Sequence, residues 1–415
     1  MRPRHRRRRG AVTAVAATLL ALSSAQAVSA LPASAGPATS GPATPAAPAS
    51  PASPASPASV VSGVSSVSSV SAVTPGSAVP AAEEDAARAL ARSLADPVRR
   101  ERVREAVLAS GEVPLTALAR GGLKSVLAAA DQRIAAAKGL DAGVGPLLRL
   151  RLGDASMRGA LGAGTAPWVA AAGVDDDAPT VVAYDSRGRA HRLDARHVPA
   201  RPVYVVDIDG SRALAAGLGV LEAQLRHYGL ASAAPAPTRD GAARAPRARA
   251  ATAGFWTTRV TAVELADDEE PWIKGDAEIY TLVTGFGQDG KVRVDPVDMP
   301  YLDNDGTVYR PGQILVNWSY YKYDLADAVM MEDDGSTNYH DLAKAIATAL
   351  LTITDHGAYI PLVDAVLDAI PDDWWTDDPD YVDSWYTLSR TDDGTRHGAR
   401  GNGWMTLEPY FVRES

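Results

Sequence analysis

Residues 277–297 read AEIYTLVTGFGQDGKVRVDPV. Ala277 to Val283 is dense in β-branched and aromatic residues, and Lys291 to Val297 repeats that character. Between them Asp289-Gly290 supplies the positive-φ dipeptide that closes tight hairpins. The stretch therefore predicts two antiparallel strands. Its Gly285-to-Lys291 segment matches most of a phosphate loop, but Val292 stands where magnesium binding needs Ser or Thr. A hairpin is the better reading. The same grammar continues outward: Thr257 to Leu265, Gln313 to Trp318, Leu325 to Met331 and Met405 to Val412 also read as strands. Further Asp-Gly pairs stand at Asp305-Gly306, Asp334-Gly335 and Asp393-Gly394. Two helices interrupt the pattern. Asn338 to Ile353 sets Leu342, Ile346, Ala349 and Ile353 on one face, and Tyr359 to Ile370 has Pro361 in its first turn. Residues 253–415 are expected to form a β-sandwich with two inserted helices.

Toward the N-terminus the pattern changes. Residues 82–164 are rich in Ala, Leu, Arg and Glu and predict three helices, over Glu83 to Ala95, Pro97 to Ser110 and Leu123 to Lys138. Gly111 and Gly139 stop the last two. Residues 165–232 predict a small α+β unit. Pro179 to Tyr184 and Ala190 to Leu193 form a hairpin, Val203 to Ile208 is a continuous apolar strand closed by Asp209-Gly210, and Leu214 to His227 is a helix. Residues 233–252 return to Ala, Pro and Arg and read as a flexible linker. The expected fold class is α+β throughout, N-terminal helices and a small α+β unit preceding the sandwich.

The first eighty residues read differently again. Arg2, Arg4 and Arg6 to Arg9 precede an apolar run from Gly10 to Leu22. Small residues at Ala25-Gln26-Ala27 and Val28-Ser29-Ala30 offer cleavage sites, so 1–30 read as a secretory signal peptide. The run is too short to cross a bilayer core of about 30 Å. Residues 31–81 are almost wholly Ala, Pro, Ser, Gly, Thr and Val and read as a disordered linker. The chain has no cysteine, which excludes disulfides and thiolate metal sites. The expectation is a secreted protein without membrane insertion once the signal is removed.

Charge is divided. Residues 251–415 hold 11 Lys or Arg against 31 Asp or Glu, a net of −20, while the whole chain carries −9. That surface repels nucleic acid and anionic lipid. Asp267, Asp268 and Asp276 flank the first connection of the sandwich, and Asp333, Asp334 and Asp341 follow a later strand. Strand, acidic loop, strand and later acidic loop is the layout of C2 domains, by analogy of spacing. Those six residues are the candidate calcium ligands, since calcium takes six to eight oxygens. Seven of eight tryptophans lie in the same region. Trp374 and Trp375, inside a run of aspartates, are the candidate ligand-binding aromatics. No catalytic signature stands out. Ser319-Tyr320-Tyr321-Lys322 has serine–lysine spacing but follows a strand rather than lying on a helix.

Several segments together resemble a family of secreted bacterial proteins, the domain of unknown function 3103. They are Glu270-Pro271-Trp272-Ile273-Lys274-Gly275-Asp276-Ala277-Glu278-Ile279-Tyr280, Val297-Asp298-Met299-Pro300-Tyr301-Leu302-Asp303, Asn338-Tyr339 and Asp380-Tyr381-Val382-Asp383-Ser384. Val182-Ala183-Tyr184-Asp185, Leu193-Asp194 and Pro202-Val203 also fit. The resemblance implies export and no established activity, and it brings no catalytic residues. Two functions follow from the sequence. The first is a secreted, non-catalytic binding or surface-interaction protein with an extracellular or cell-envelope ligand, with calcium as its candidate cofactor. The alternative is an extracellular hydrolase acting on glycans through paired carboxylates. The sequence leaves open whether the chain is an enzyme.

Overall fold

Helix α1 (Ala78–Ser93) begins four residues earlier than the linker reading allowed. Pro80 is tolerated there because the first turn needs no N–H partner, and Val79 is already buried. The computed structural model describes residues 78–174, 178–231, 254–266, 272–275, 277–304, 306–333, 335–370 and 381–414. The signal segment, most of the 31–81 linker and all of the 233–252 linker lie outside them. The described residues all belong to one compact unit, Val70–Ser415.

Helix α2 (Pro97–Ser110) is capped by the Asp96 side chain on the Val98 N–H and stops at Gly111, whose φ is 72°. Helices α3 (Leu115–Leu118) and α4 (Gly122–Ala137) complete this part. A six-stranded sheet follows, but it draws strands from within the stretch expected to be helical. Its strands are β1 (Val113–Pro114), β2 (Leu148–Leu152), β3 (Trp168–Ala171), β4 (Thr180–Tyr184), β5 (Ala190–Asp194) and β6 (Val203–Ile208). Their order is β1-β2-β6-β3-β4-β5, antiparallel except for the β3–β6 pair. Residues 148–152 read Leu-Arg-Leu-Arg-Leu, a period-two alternation inside an Ala/Leu/Arg-rich region whose overall composition suits helix. A short helix, α5 (Arg158–Gly162), and the long α6 (Gly210–Tyr228) belong to the same unit.

The C-terminal half consists of two four-stranded antiparallel sheets. Their strands are β7 (Gly254–Leu265), β8 (Ile279–Phe286), β9 (Val292–Asp298), β10 (Gln313–Asn317), β11 (Leu325–Glu332), β12 (Tyr381–Ser389), β13 (Gly394–His397) and β14 (Gly403–Arg413). One sheet is ordered β10-β7-β14-β13 and the other β12-β11-β8-β9. Val260, Val263, Met405 and Leu407 of the first share a core with Ile279, Val283, Ala328 and Trp385 of the second. The expected sandwich is this shared core. The second sheet is covered on its other face as well. Tyr280, Leu282, Val329 and Met331 pack against α6, α7 (Tyr339–Leu350) and α8 (Val363–Leu367). All eight residues of β8 are consequently buried, which explains why 279–286 shows no alternation of apolar inward and charged outward residues.

The Asp289-Gly290 hairpin joins β8 to β9 as expected, with Gly290 at φ 77°. Asp393-Gly394 does not close a hairpin, because β12 and β13 belong to different sheets. Asn338 caps α7 through the His340 and Asp341 N–H groups.

Candidate functional site

Strand β6 is apolar on both faces until its end, where Asp207, Asp209 and Gly210 appear. Its parallel neighbour β3 ends beside it and continues into Ala172 and Gly173. Ligands of sheet proteins commonly gather just beyond the carboxyl ends of parallel strands. A cavity of about 440 Å³ opens at that place. Helix α1, the β6–α6 junction, the β7–β8 connection and the β11–α7 turn contribute to its wall.

Glu83 enters from α1, which covers one face of the sheet, while Asp207 lies on the opposite face with Val203 and Val205. Glu83 is 2% exposed, and its Oε2 accepts the Gly173 N–H at 2.7 Å. Gly173 has no side chain to obstruct this, and a Cβ there would collide with the Glu83 carboxyl. Burial pushes the Glu83 carboxyl up to about 8, and neighbouring Asp207 adds to the rise. The Gly173 N–H, Lys138 and Lys274 act in the opposite direction and are outweighed. Burial and Asp207 thus both favour the protonated, neutral form of Glu83.

Asp207 is an ion-paired carboxylate. Arg151 Nε lies 2.9 Å from its Oδ2, and the Ile208 N–H donates to Oδ1 at 2.8 Å. Arg151 also donates to the Ile273 carbonyl, which belongs to the β7–β8 connection. That connection straps the sandwich to the six-stranded sheet. Ile273 is fully buried, Trp272 rests on Gly153 and donates to the Asp194 carbonyl at 3.3 Å, and Lys274 and Gly275 face the cavity.

Other wall charges are also partnered. Asp209 caps α6 and pairs with Arg149 and, at 3.1 Å, with Arg212. Lys138 and Asp333 form a pair with no solvent exposure of either side chain. Nζ lies 3.0 Å from Oδ1 and donates to the Gly335 carbonyl at 2.9 Å, while the Tyr339 hydroxyl donates to Oδ2 at 2.6 Å. The Glu278 carboxylate lies against Gly210 in the first turn of α6, where any Cβ would displace it. Glu278 and Lys274 are engaged as well.

The sequence-predicted ligands fare differently. Asp333 is present in the cavity wall, but as the partner of Lys138 and Tyr339. Asp341 is exposed in the first turn of α7. Asp267, Asp268, Asp276 and Asp334 lie outside the described residues, as do Trp374 and Trp375. Among the described residues no group of three or more His, Asp or Glu is arranged to hold a metal ion. Ser319 donates its hydroxyl to Asn317 and Lys322 pairs with Asp355, so the serine–lysine spacing brings no reacting pair together. Sequence reasoning missed Glu83, Arg151, Asp207 and Glu278. One signal was present: Asp207-Ile208-Asp209-Gly210, two carboxylates at the end of an apolar strand that leads directly into a helix.

Among the described residues no helix is long and apolar enough to cross a membrane. The family described as "Protein of unknown function (DUF3103)" matches residues 84–415. No curated protein and no solved structure matches the chain.

Proposed function

Since the chain belongs to that family, whose description assigns no activity, we propose from the cavity that it is a hydrolase acting on glycosidic bonds, and from the leader-like residues 1–30 that it works outside the cell. The observation that carries this reading is Glu83, a buried carboxyl that burial and the charge of Asp207 push toward its protonated form, lining the same cavity as the ion-paired carboxylate Asp207. A carboxylic acid held protonated by burial, with an ion-paired carboxylate lining the same cavity, is recurring equipment of acid–base hydrolysis. Glu83 donates its proton to the glycosidic oxygen as that carbon–oxygen bond breaks and its electron pair goes to the oxygen. Asp207 takes a proton from water, whose oxygen bonds to the anomeric carbon. Asp207 then returns a proton to Glu83 through solvent, so one water is consumed and both groups are restored. Both Asp207 oxygens already accept a hydrogen bond, which suits a base acting through water better than a nucleophile.

Nitrophenyl glycosides test this reading with the purified protein. Glu83→Gln and Asp207→Asn are each expected to lower the rate by at least about 100-fold, while circular dichroism shows an unchanged fold. Wild-type rates in both variants would instead leave the cavity as a binding site. The non-catalytic surface-interaction reading would then take its place. A calcium-dependent function through Asp333 would first require Lys138 to leave that carboxylate.

A further inference from the structure

Resting on the hydrolase reading, we infer that the cavity takes an amino sugar whose amine is free and positively charged, and that Glu112 and Asp154 receive its ammonium group. Glu112 immediately precedes β1, and the register Val113↔Leu150 sets it alongside Arg151 of β2. Asp154 follows the end of β2. Both carboxylates therefore stand at the carboxyl end of that strand, and both line the cavity. Neither has a cation of its own. Among the described residues Glu112 makes no hydrogen bond or ion pair, not even with Arg151. Asp154 accepts the Ser156 N–H at 2.7 Å, a neutral donor. Asp207, Asp209 and Asp333 differ, since each has an arginine or lysine at hand. Positions 276 and 334, next in the chain to the wall residues Gly275 and Asp333, are aspartates and supply no cation either.

The field at this end of the cavity favours a positive ligand. Burial raises the Glu112 carboxyl; Arg149 opposes the rise, while the charges of Asp209 and Asp207 add to it. Surroundings that disfavour one more anion favour a cation. A neutral sugar would take water from Glu112 and Asp154 without compensating their charge, and a uronic acid would add repulsion. One buried acceptor is open as well. Glu83, 2% exposed, takes the Gly173 N–H on Oε2, and its Oε1 has no partner among the described residues. No three of the described carboxylates are arranged to hold a metal ion. A primary ammonium asks for less, because its three donors sit on one nitrogen and need only nearby acceptors. The volume of about 440 Å³ lies in the range of small-ligand sites.

The experiment uses the purified protein with nitrophenyl glycosides of glucosamine, N-acetylglucosamine, glucose and glucuronic acid in both anomeric forms. Binding of glucosamine, glucose and butylamine is measured in parallel by calorimetry. The expected result is a kcat/KM for the glucosaminide at least about 10-fold above the other three, with its KM raised at least about 10-fold in Glu112→Gln and in Asp154→Asn. Glucosamine should also bind more tightly than glucose or butylamine. Faster cleavage of a neutral or anionic glycoside, or an unchanged KM in either variant, would overturn this inference and leave the hydrolase reading standing. Absence of all cleavage would overturn the hydrolase reading. Selective glucosamine binding that is lost in Glu112→Gln would then keep the ligand assignment, and absence of such binding would overturn both.

Discussion

At Glu83 the same burial that keeps the proton available also sets a pH limit on the fold. Its carboxyl is raised from the ordinary 4.5 to about 8 in the folded protein. The unfolded chain then releases that proton at lower pH than the folded one does. The contribution is fully present below about pH 4.5 and is lost as pH rises through about 8. The displacement corresponds to about 5 kcal/mol at most. Glu83→Gln is expected to flatten this loss, so that the variant is the more stable protein at pH 8.5 while matching wild type near pH 5. Melting curves at the two values check it. A variant that loses stability with pH as steeply as wild type would show that Glu83 is not the group responsible. Gly173 is a second residue-scale test. Gly173→Ala places a methyl against the Glu83 carboxyl, and activity should fall more than global stability does. Neither residue was conspicuous in the sequence. Glu83 stands among ordinary helical alanines and arginines, and what marks it is a contact with Gly173, ninety positions away.

Elements were legible where the local signal was undivided. Helices α2 and α4 and the β8–β9 hairpin lie where caps, glycines and periodicity placed them, whereas α6 begins four residues before the expected Leu214, capped by Asp209. Strand β2 was hidden because five alternating residues sit in a helix-forming composition. Strand β12 was missed although it carries the buried Trp385. The order is imposed by long-range contacts. Asp383 of β12 is fully buried and accepts the Ser384, Arg400 and Gly403 N–H groups, organising the 398–403 turn before β14. Asp383→Ala is expected to cost about 3 kcal/mol, since two buried donors and one part-buried donor lose their acceptor. Urea unfolding measures it. The Lys138–Asp333 pair similarly ties α4 to the β11–α7 turn. Lys138→Met should cost about 3–5 kcal/mol by stranding a buried carboxylate, and Asp333→Leu added to it should recover much of that loss. A double variant no better than the single one would show that the charge pair is not the cause.

The cavity belongs to the molecule as a whole. Glu83 comes from the first helix, Asp207 from the six-stranded sheet, Glu278 and Lys274 from the strap, and Asp333 from the β11–α7 turn. Distance along the chain hides such a meeting from sequence, and the acidic C-terminal surface drew attention to carboxylates elsewhere. Trp272 fixes the strap, so Trp272→Ala should loosen the cavity and slow glycoside cleavage while leaving the sandwich core intact. Near-ultraviolet dichroism from the other tryptophans would report that core. The protonation of Glu83 can be measured without a substrate. Infrared difference spectra of wild type minus Glu83→Gln, recorded across pH, isolate the carbonyl stretch of a protonated Glu83 carboxyl. That band should persist through pH 7 and disappear with a midpoint near 8, shifting to lower pH in Asp207→Asn. A band lost with a midpoint near 4.5 would mean that Glu83 is an ordinary carboxylate, and would contradict the account.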